Sequence, residues 1–239
     1  VTGVQTCALP IWKGYNVFMA KENINRSGCK DVFHAFLVKN ASYDGNLEMP
    51  CIKAEDAVPQ NVITFSKAVR SKEYDNFVHF YEDDVNFERI WNNPNRYLPI
   101  LKKFDGVISP DFSLYRDMPL VMQQWNTYRS RAIGHWLQTN GITVIPNIRF
   151  ADERSFAFCC DGISRGSTIA VGSHGCIKGR VDRMYFKQGM EYIVRKLEPH
   201  RIIVYGKAPD DIFGTYQNAG IVICQYDSDY AISRKAVSA

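Results

Sequence analysis

No run in this 239-residue chain approaches the ~20 consecutive apolar residues that a membrane-spanning helix needs. No G-x-G-x-x-G follows a strand-like stretch, so a dinucleotide-binding fold loses its best support. The P-loop pattern G-x-x-x-x-G-K-S/T is missing, which argues against a P-loop NTPase. No C-x-x-C pair and no H-x-x-x-H spacing occurs, so the common zinc signatures are lacking. Repeats of fixed period and low-complexity segments are absent as well. Charge of one sign is scarce: 29 Lys and Arg face 25 Asp and Glu, a net +4. That balance is too mild for a histone-like binder, yet it permits an anionic substrate. A composition of 46% hydrophobic and 13% aromatic residues excludes disorder as the main state.

Val1–Ile11 (VTGVQTCALPI) shows neither helical nor strand periodicity. It has no basic n-region and no apolar h-region of ~7–15 residues, so it does not read as a secretory leader. It resembles the translation of a short-read sequencing adapter joined to metagenomic DNA, and Cys7 then drops out of the cysteine arithmetic. Of the others, Cys29, Cys51, Cys159, Cys160, Cys176 and Cys224, only Cys159 and Cys160 are vicinal. They read as reduced, mostly buried thiols of a cytoplasmic protein.

The chain divides into four segments. Residues 1–11 are non-native. Residues 12–75 form an N-terminal extension with short strands, packed on the main domain. Residues 76–230 are an α/β domain, and 231–239 a frayed polar tail. In the extension, Val32–Val38 and Leu47–Ile52 are short apolar runs around a turn at Asp44-Gly45-Asn46, and Pro50 suits an edge. Val62–Phe65 reads as a strand. From Phe77 onward, β-branched or aromatic runs alternate with helical patterns. Strands are expected at Phe77–Tyr81, Gly106–Ser109, Ile142–Ile148, Thr168–Val171, Arg201–Tyr205 and Ile221–Gln225. Pro119 opens a long helix that Asn140-Gly141 closes. Others follow at Val85–Trp91, Asp182–Leu197 and Asp210–Asn218. This order argues for βαβ units and a mainly parallel sheet covered on both faces. Two arrangements fit: an open doubly wound sheet, or a distorted, partial TIM-like barrel.

In parallel α/β folds, ligands bind outside the carboxyl ends of the strands. Those ends are unusually polar here: Glu82-Asp83-Asp84, Asp111 and Ser113, Asn147 and Arg149, Ser173-His174, and Tyr205. Asp111 follows a buried strand on a short loop, a good position for a base or nucleophile. With Asp83 and His174 it makes the candidate catalytic set. Each has a structural alternative: a helix cap for Asp83, a turn residue for Asp111 and for His174. Asn147 and Arg149 alternate along one strand end, so they share a face. Arg149 beside Asp111 would lower the carboxyl pKa. Asp84, Ser113, Asn147, Arg149, Ser173 and Tyr205 are the candidate substrate contacts, with Lys178 and Arg180 as a basic rim. Basic and aromatic residues also interleave around Arg129, Arg131, Arg183, Lys187, Tyr128, Trp136 and Tyr185. That mixture suits a phosphate backbone with stacked bases, although a solvated helix face explains each residue singly. No cofactor is expected; carboxylates at Asp83, Asp84 and Asp111 leave a divalent ion open.

The linked stretches HFYEDD, FERIWNNPNRYL, FDGVISPDFSLYRDMPLVMQQWNTYRSRAIGHWLQTNGI, VIPNIRF, AVGSHGCIK and IIVYGKAPDDIF carry a resemblance. Together they look like an uncharacterised domain family of bacteria, phages and mobile elements, from about Cys29 to Asp229. That context implies work on nucleic acid. The order PDFS, VIPNIRF, VGSHG, IIVYG also resembles the strand ends of queuine-type transglycosylases and their DNA-modifying relatives. Those are barrels in which carboxylates carry base exchange. The resemblance makes Asp111 the matching acid, while that family's zinc cysteine cluster is missing. The reading is therefore an enzyme of base exchange or glycosidic-bond chemistry on nucleic acid or nucleotides. Two other classes stay open: a non-catalytic nucleic-acid or partner-binding protein, and a carbohydrate- or small-molecule-processing barrel.

Overall fold

The computed structural model describes residues 24–25 and 29–238. Val1–Ile11, and with it the adapter reading, lies outside the described residues. The chain forms two compact units, Val1–Asn40 and Ala41–Ala239. In the first, β1 (Ile24–Asn25) pairs antiparallel with β2 (Cys29–Lys30), and a single 3-10 turn spans Ala35–Val38. The apolar run Val32–Val38 is thus no strand. The Asp31 carboxylate accepts from the Phe33 and Phe36 N–H groups and turns the chain there.

The second unit opens with a hairpin, β3 (Tyr43–Asp44) against β4 (Met49–Pro50), at the expected turn. β5 (Val62–Thr64) leads into α1 (Phe65–Ala68), and β6 (Phe77–His79) into α2 (Asp84–Asn92) and α3 (Pro94–Leu101). β7 (Gly106–Ile108) precedes α4 (Leu120–Thr139), and β8 (Val144–Ile145) precedes α5 (Glu153–Phe156). β9 (Thr168–Gly172), α6 (Arg180–Leu197), β10 (Arg201–Tyr205), α7 (Asp210–Asn218), β11 (Val222–Tyr226) and α8 (Asp229–Ser238) complete it. Strands β5 to β8 form one sheet and β9 to β11 another, in chain order and parallel throughout. An isolated parallel bridge, Asn147 to Ala170, joins them. There the Ile148 N–H donates to the Ala170 carbonyl at 2.8 Å. The parallel sheet therefore starts at β5, inside the segment read as an extension.

All seven strands feed one apolar cluster. Phe77, Ile108, Ile145, Ala170 and Ile203 are buried in it, and Val62 and Cys224 pack against them. No ladder pairs β5 with β11 among the described residues, so no closed barrel is formed there by hydrogen bonding. The Tyr226 hydroxyl donates to the Pro59 carbonyl near that edge. A second core lies under α6 and α7, where Met190, Ile193 and Phe213 meet Ile169, Val171 and Ile202.

Two further elements depart from the sequence reading. α3 carries Pro94 in its first turn, where the missing N–H costs nothing, and Pro99 within. The tail read as frayed is α8. Ser228 Oγ accepts from the Ala231 N–H, and Lys235 pairs with Asp227 at 2.7 Å. α4 stops where Gly141 takes φ +82, a conformation open to glycine. Its polar residues Gln123, Asn126, Arg129, Arg131 and His135 are buried. The Arg129 guanidinium meets Glu88 at 2.5 Å and stacks 3.9 Å from the Phe112 ring centroid. No helix among the described residues is long and apolar enough to cross a membrane.

Candidate functional site

Five successive strand ends wall a cleft of about 830 Å³. Tyr81 to Asp84 follow β6, Asp111 to Asp117 follow β7, and Arg149 to Ala151 follow β8. Gly172 to Cys176 end β9, and Tyr205 ends β10. Parallel pairing brings these ends to one edge, which is why residues so distant in sequence meet.

Asp111 sits at the floor and is 8% exposed. Its Oδ1 accepts from Asn147 Nδ2 at 2.7 Å, and its Oδ2 from Arg149 Nη1 at 3.4 Å. Tyr81 Oη donates to Asn147 Oδ1 at 2.8 Å. The alternation of Asn147 and Arg149 thus brings both side chains to the same carboxylate. Burial pushes the Asp111 carboxyl above its ordinary value; the Arg149 guanidinium and the Asn147 amide pull it down, and Asp84 pushes it further up. The lowering expected from Arg149 alone is outweighed, because burial is the larger effect and the Arg149 contact is long. Arg149 stays protonated: burial opposes its charge, and Asp111 together with Cys176, Tyr115 and Asp84 more than compensates.

Tyr81 was not singled out in the sequence. It stacks on Tyr205, ring centroids 4.8 Å apart and planes at 11°, which makes an aromatic wall beside the acid. Burial holds the Tyr81 phenol well above its usual range, so it remains a donor. Burial likewise pushes the Tyr205 phenol up to about 12, against the Asp229 N–H that donates to its oxygen at 3.0 Å. A Cβ on Gly172 would come within 2.9 Å of the Tyr81 ring and 3.8 Å of Asp111 Oδ2. Glycine there keeps the space over Oδ2 open. Only the aromatic alternation of FVHFY hints at Tyr81.

Asp84 accepts from the Ser113 N–H at 3.1 Å and the Ser113 hydroxyl at 2.7 Å, so Ser113 orients a second carboxylate near Asp111. Asp83 holds the N-cap position of α2 without a side-chain cap bond; it is exposed and lines the cleft. His174 lines the opposite wall, exposed, its ring 6.0 Å from that of Tyr230. Ser173 turns away: its hydroxyl donates to the Lys207 carbonyl at 2.7 Å, inside the protein. Lys178 and Arg180 do not line the cleft. Arg183 and Lys187 pair with Asp211, and Arg131 is buried against backbone carbonyls. The basic rim expected from sequence is therefore not at this cleft. Its lining holds six carboxylates, Glu82, Asp83, Asp84, Asp111, Asp117 and Asp182, against two guanidiniums, Arg116 and Arg149. The two arginines are partly spent, Arg116 on Asp182 at 2.7 Å and Arg149 on Asp111.

Among the described residues, no group of three or more His, Cys, Asp or Glu is arranged to hold a metal ion, Asp83, Asp84 and Asp111 included. Cys51, Cys159, Cys160, Cys176 and Cys224 are free; Cys159 and Cys160 are buried with their sulfurs 3.9 Å apart. Cys176, which the sequence offered only as a structural thiol, lies 3.5 Å from Arg149 Nη1.

The chain is similar to two phage proteins, each called Gene 1 protein. It is 36% identical over 164 residues to that of Mycobacterium phage D29, a match covering 67% of this chain and 60% of the phage protein. The same identity and length relate it to that of Mycobacterium phage L5, covering 67% of this chain and 71% of the phage protein. The chain thus spans less than two thirds of the D29 protein. No solved structure matches. The family described as a domain of unknown function, DUF4417, matches residues 41–227, which take in every strand of the parallel sheets and the whole cleft, and the chain belongs to that family.

Proposed function

We propose that the protein is an enzyme of glycosidic-bond chemistry acting on nucleic acid or nucleotides in the cytoplasm, built as a partial TIM-like barrel. The barrel reading rests on seven parallel strands in sequential order around a shared cluster. One observation carries the chemistry. Asp111 is a buried carboxyl with a raised pKa, bracketed by Asn147 and Arg149, with a second carboxylate, Asp84, beside it. Two carboxyl groups in unlike surroundings suit a proton donor and a stabiliser of positive charge. Asp111 protonates the departing base as the bond to the sugar carbon breaks. The bonding electrons leave with the base. Asp84 faces the cationic sugar, which water or an incoming base then captures, the proton it loses returning to the Asp111 carboxylate. The Tyr81–Tyr205 wall offers a flat apolar surface to a ring. Asp83 and His174, on the exposed walls, contact the parts of the substrate nearest solvent.

The test is mass-spectrometric detection of free or exchanged bases after incubation with DNA, RNA and nucleosides. Asp111→Asn keeps the shape and should cut turnover by at least ~100-fold, the usual contribution of a positioned acid, with binding retained. Full activity in that variant would overturn the reading. So would salt-dependent binding with no turnover of any substrate, which is the behaviour of a binding protein. A second reading is favoured by the acid-rich lining, which suits an uncharged sugar better than a phosphate. Turnover of oligosaccharides but not nucleosides would select it.

Tyr81 provides a finer check. Its hydroxyl fixes which end of the Asn147 amide faces Asp111. In Tyr81→Phe the amide is free to turn and present its oxygen, which favours the protonated acid. The Asp111 pKa, read by carboxyl carbon NMR, should rise further; an unchanged value would show that Asn147 is held by other contacts.

A further inference from the structure

The acid-lined cleft raises a problem for a nucleic-acid substrate. A phosphodiester chain cannot lie against six carboxylates, so its charges must be held elsewhere. Beside the cleft runs a groove of about 760 Å³ between α1 and α2, lined by Lys67, Arg70, Arg89, Ser66, Ser71 and Asn86 among others. No carboxylate lines it. Lys67 pairs with Asp229 at 2.8 Å, whereas Arg70 and Arg89 make no ion pair among the described residues. The Arg89 guanidinium lies 5.1 Å from the Phe65 ring centroid and 5.7 Å from that of Tyr97, and its buried Nε has no hydrogen-bond partner. The ring contacts thus fix this cation beside the groove without neutralising its charge.

The groove and the cleft share a wall. Asp83 and Asp84 line the cleft, and the next residues, Val85 and Asn86, line the groove. The Ser66 N–H donates to Glu82 Oε1 at 2.9 Å, tying α1 to the cleft margin. We propose that this groove binds the phosphodiester backbone of a single-stranded nucleic acid whose target nucleotide enters the acidic cleft. Guanidiniums, an ammonium and hydroxyls supply the donors that phosphate oxygens accept, and enzymes acting on a base often hold the backbone outside the pocket that receives it. The inference rests on the reading of the cleft as a nucleic-acid site.

The test uses the full chain and fluorescein-labelled 20-nucleotide single strands, one DNA and one RNA, in fluorescence anisotropy. The variant is Arg70→Glu with Asn86→Glu. Both positions are exposed, and a glutamate suits the first turn of α2, so folding is spared. Binding to the wild type should weaken with salt. The variant should bind at least tenfold more weakly, with a salt slope smaller by about 0.7 for each phosphate it no longer neutralises. Its turnover of free nucleosides should be unchanged. The groove proposal falls if the variant binds both strands as the wild type does, or if the wild type binds neither. Weakened binding in the variant, with no turnover by the wild type, supports the groove and removes the catalytic reading instead. Comparing DNA with RNA tells which strand the groove prefers.

Discussion

Replacing Arg131 by methionine is expected to destabilise the protein by about 4 kcal/mol, in the range seen when one side of a buried polar network is removed. Arg131 is 1% exposed at the centre of α4. Its Nε donates to the Asp161 carbonyl at 2.9 Å, Nη1 to Asn147 at 3.0 Å and Nη2 to Cys159 at 2.6 Å. Burial lowers its pKa to about 10, against nearby Cys159, Cys160 and Asp161, so it remains a cation at neutral pH. Methionine matches much of the volume but leaves three carbonyls without these donors in a dry interior. For a chain of this size the loss corresponds to a melting temperature lower by about 10 °C. Arg131→Lys keeps the charge but not the three-way fork, and should fall between the two. Equal stability of the methionine variant and the wild type in urea titrations would show that those carbonyls find other donors. The Asn147 carbonyl belongs to the residue that holds Asp111, so a shift in the Asp111 pKa should accompany the loss.

Acidification should cost stability through one histidine. His79 is 1% exposed, with its ring 4.4 Å from that of Tyr205, and its Nδ1 accepts from the Tyr81 N–H at 3.2 Å. Burial drives its pKa from 6.5 to about 3; Asp229 opposes this and Lys67 adds to it. The folded state therefore keeps His79 neutral where the unfolded chain takes up a proton. This contribution is complete above pH 6.5 and is lost as the pH falls toward 3. The slope is about 1.4 kcal/mol per pH unit, and the limit at pH 3 is about 5 kcal/mol. Asp111 acts in the opposite sense. Its raised pKa penalises the native state above the ordinary carboxyl range, and that penalty is relieved on acidification. His79→Asn keeps an acceptor near the Tyr81 N–H and titrates nowhere in this range. Urea titrations at pH 7, 6, 5 and 4 should show a steeper fall for the wild type than for the variant. Parallel curves would mean that His79 gains its proton without unfolding.

The α/β class of the fold and the residues at the floor of the cleft were legible in the amino-acid pattern. Runs such as Arg201–Tyr205, rich in Ile and Val, are built for a sheet covered on both sides, and Pro119 and Gly141 bound α4 through local backbone chemistry. Asp111, Asn147 and Arg149 were legible because strand ends and the two-residue period follow from local pattern. Which charges are spent and which are free depends on packing between distant elements. Arg131 and Arg149 look alike in the sequence, yet one clamps backbone carbonyls and the other faces a carboxylate in the cleft. Lys178 and Arg180 follow a strand end, yet the loop after β9 carries them away from the cleft lining. Lys67, Arg70 and Arg89 meet at a groove because β5 and β6 are neighbours and place α1 beside α2. Tyr81 became the partner of Asn147 through strand packing across 66 residues of chain. A residue's local pattern sets its backbone and the face it presents. What stands on that face is set by elements packed from elsewhere in the chain, and those contacts leave no local mark.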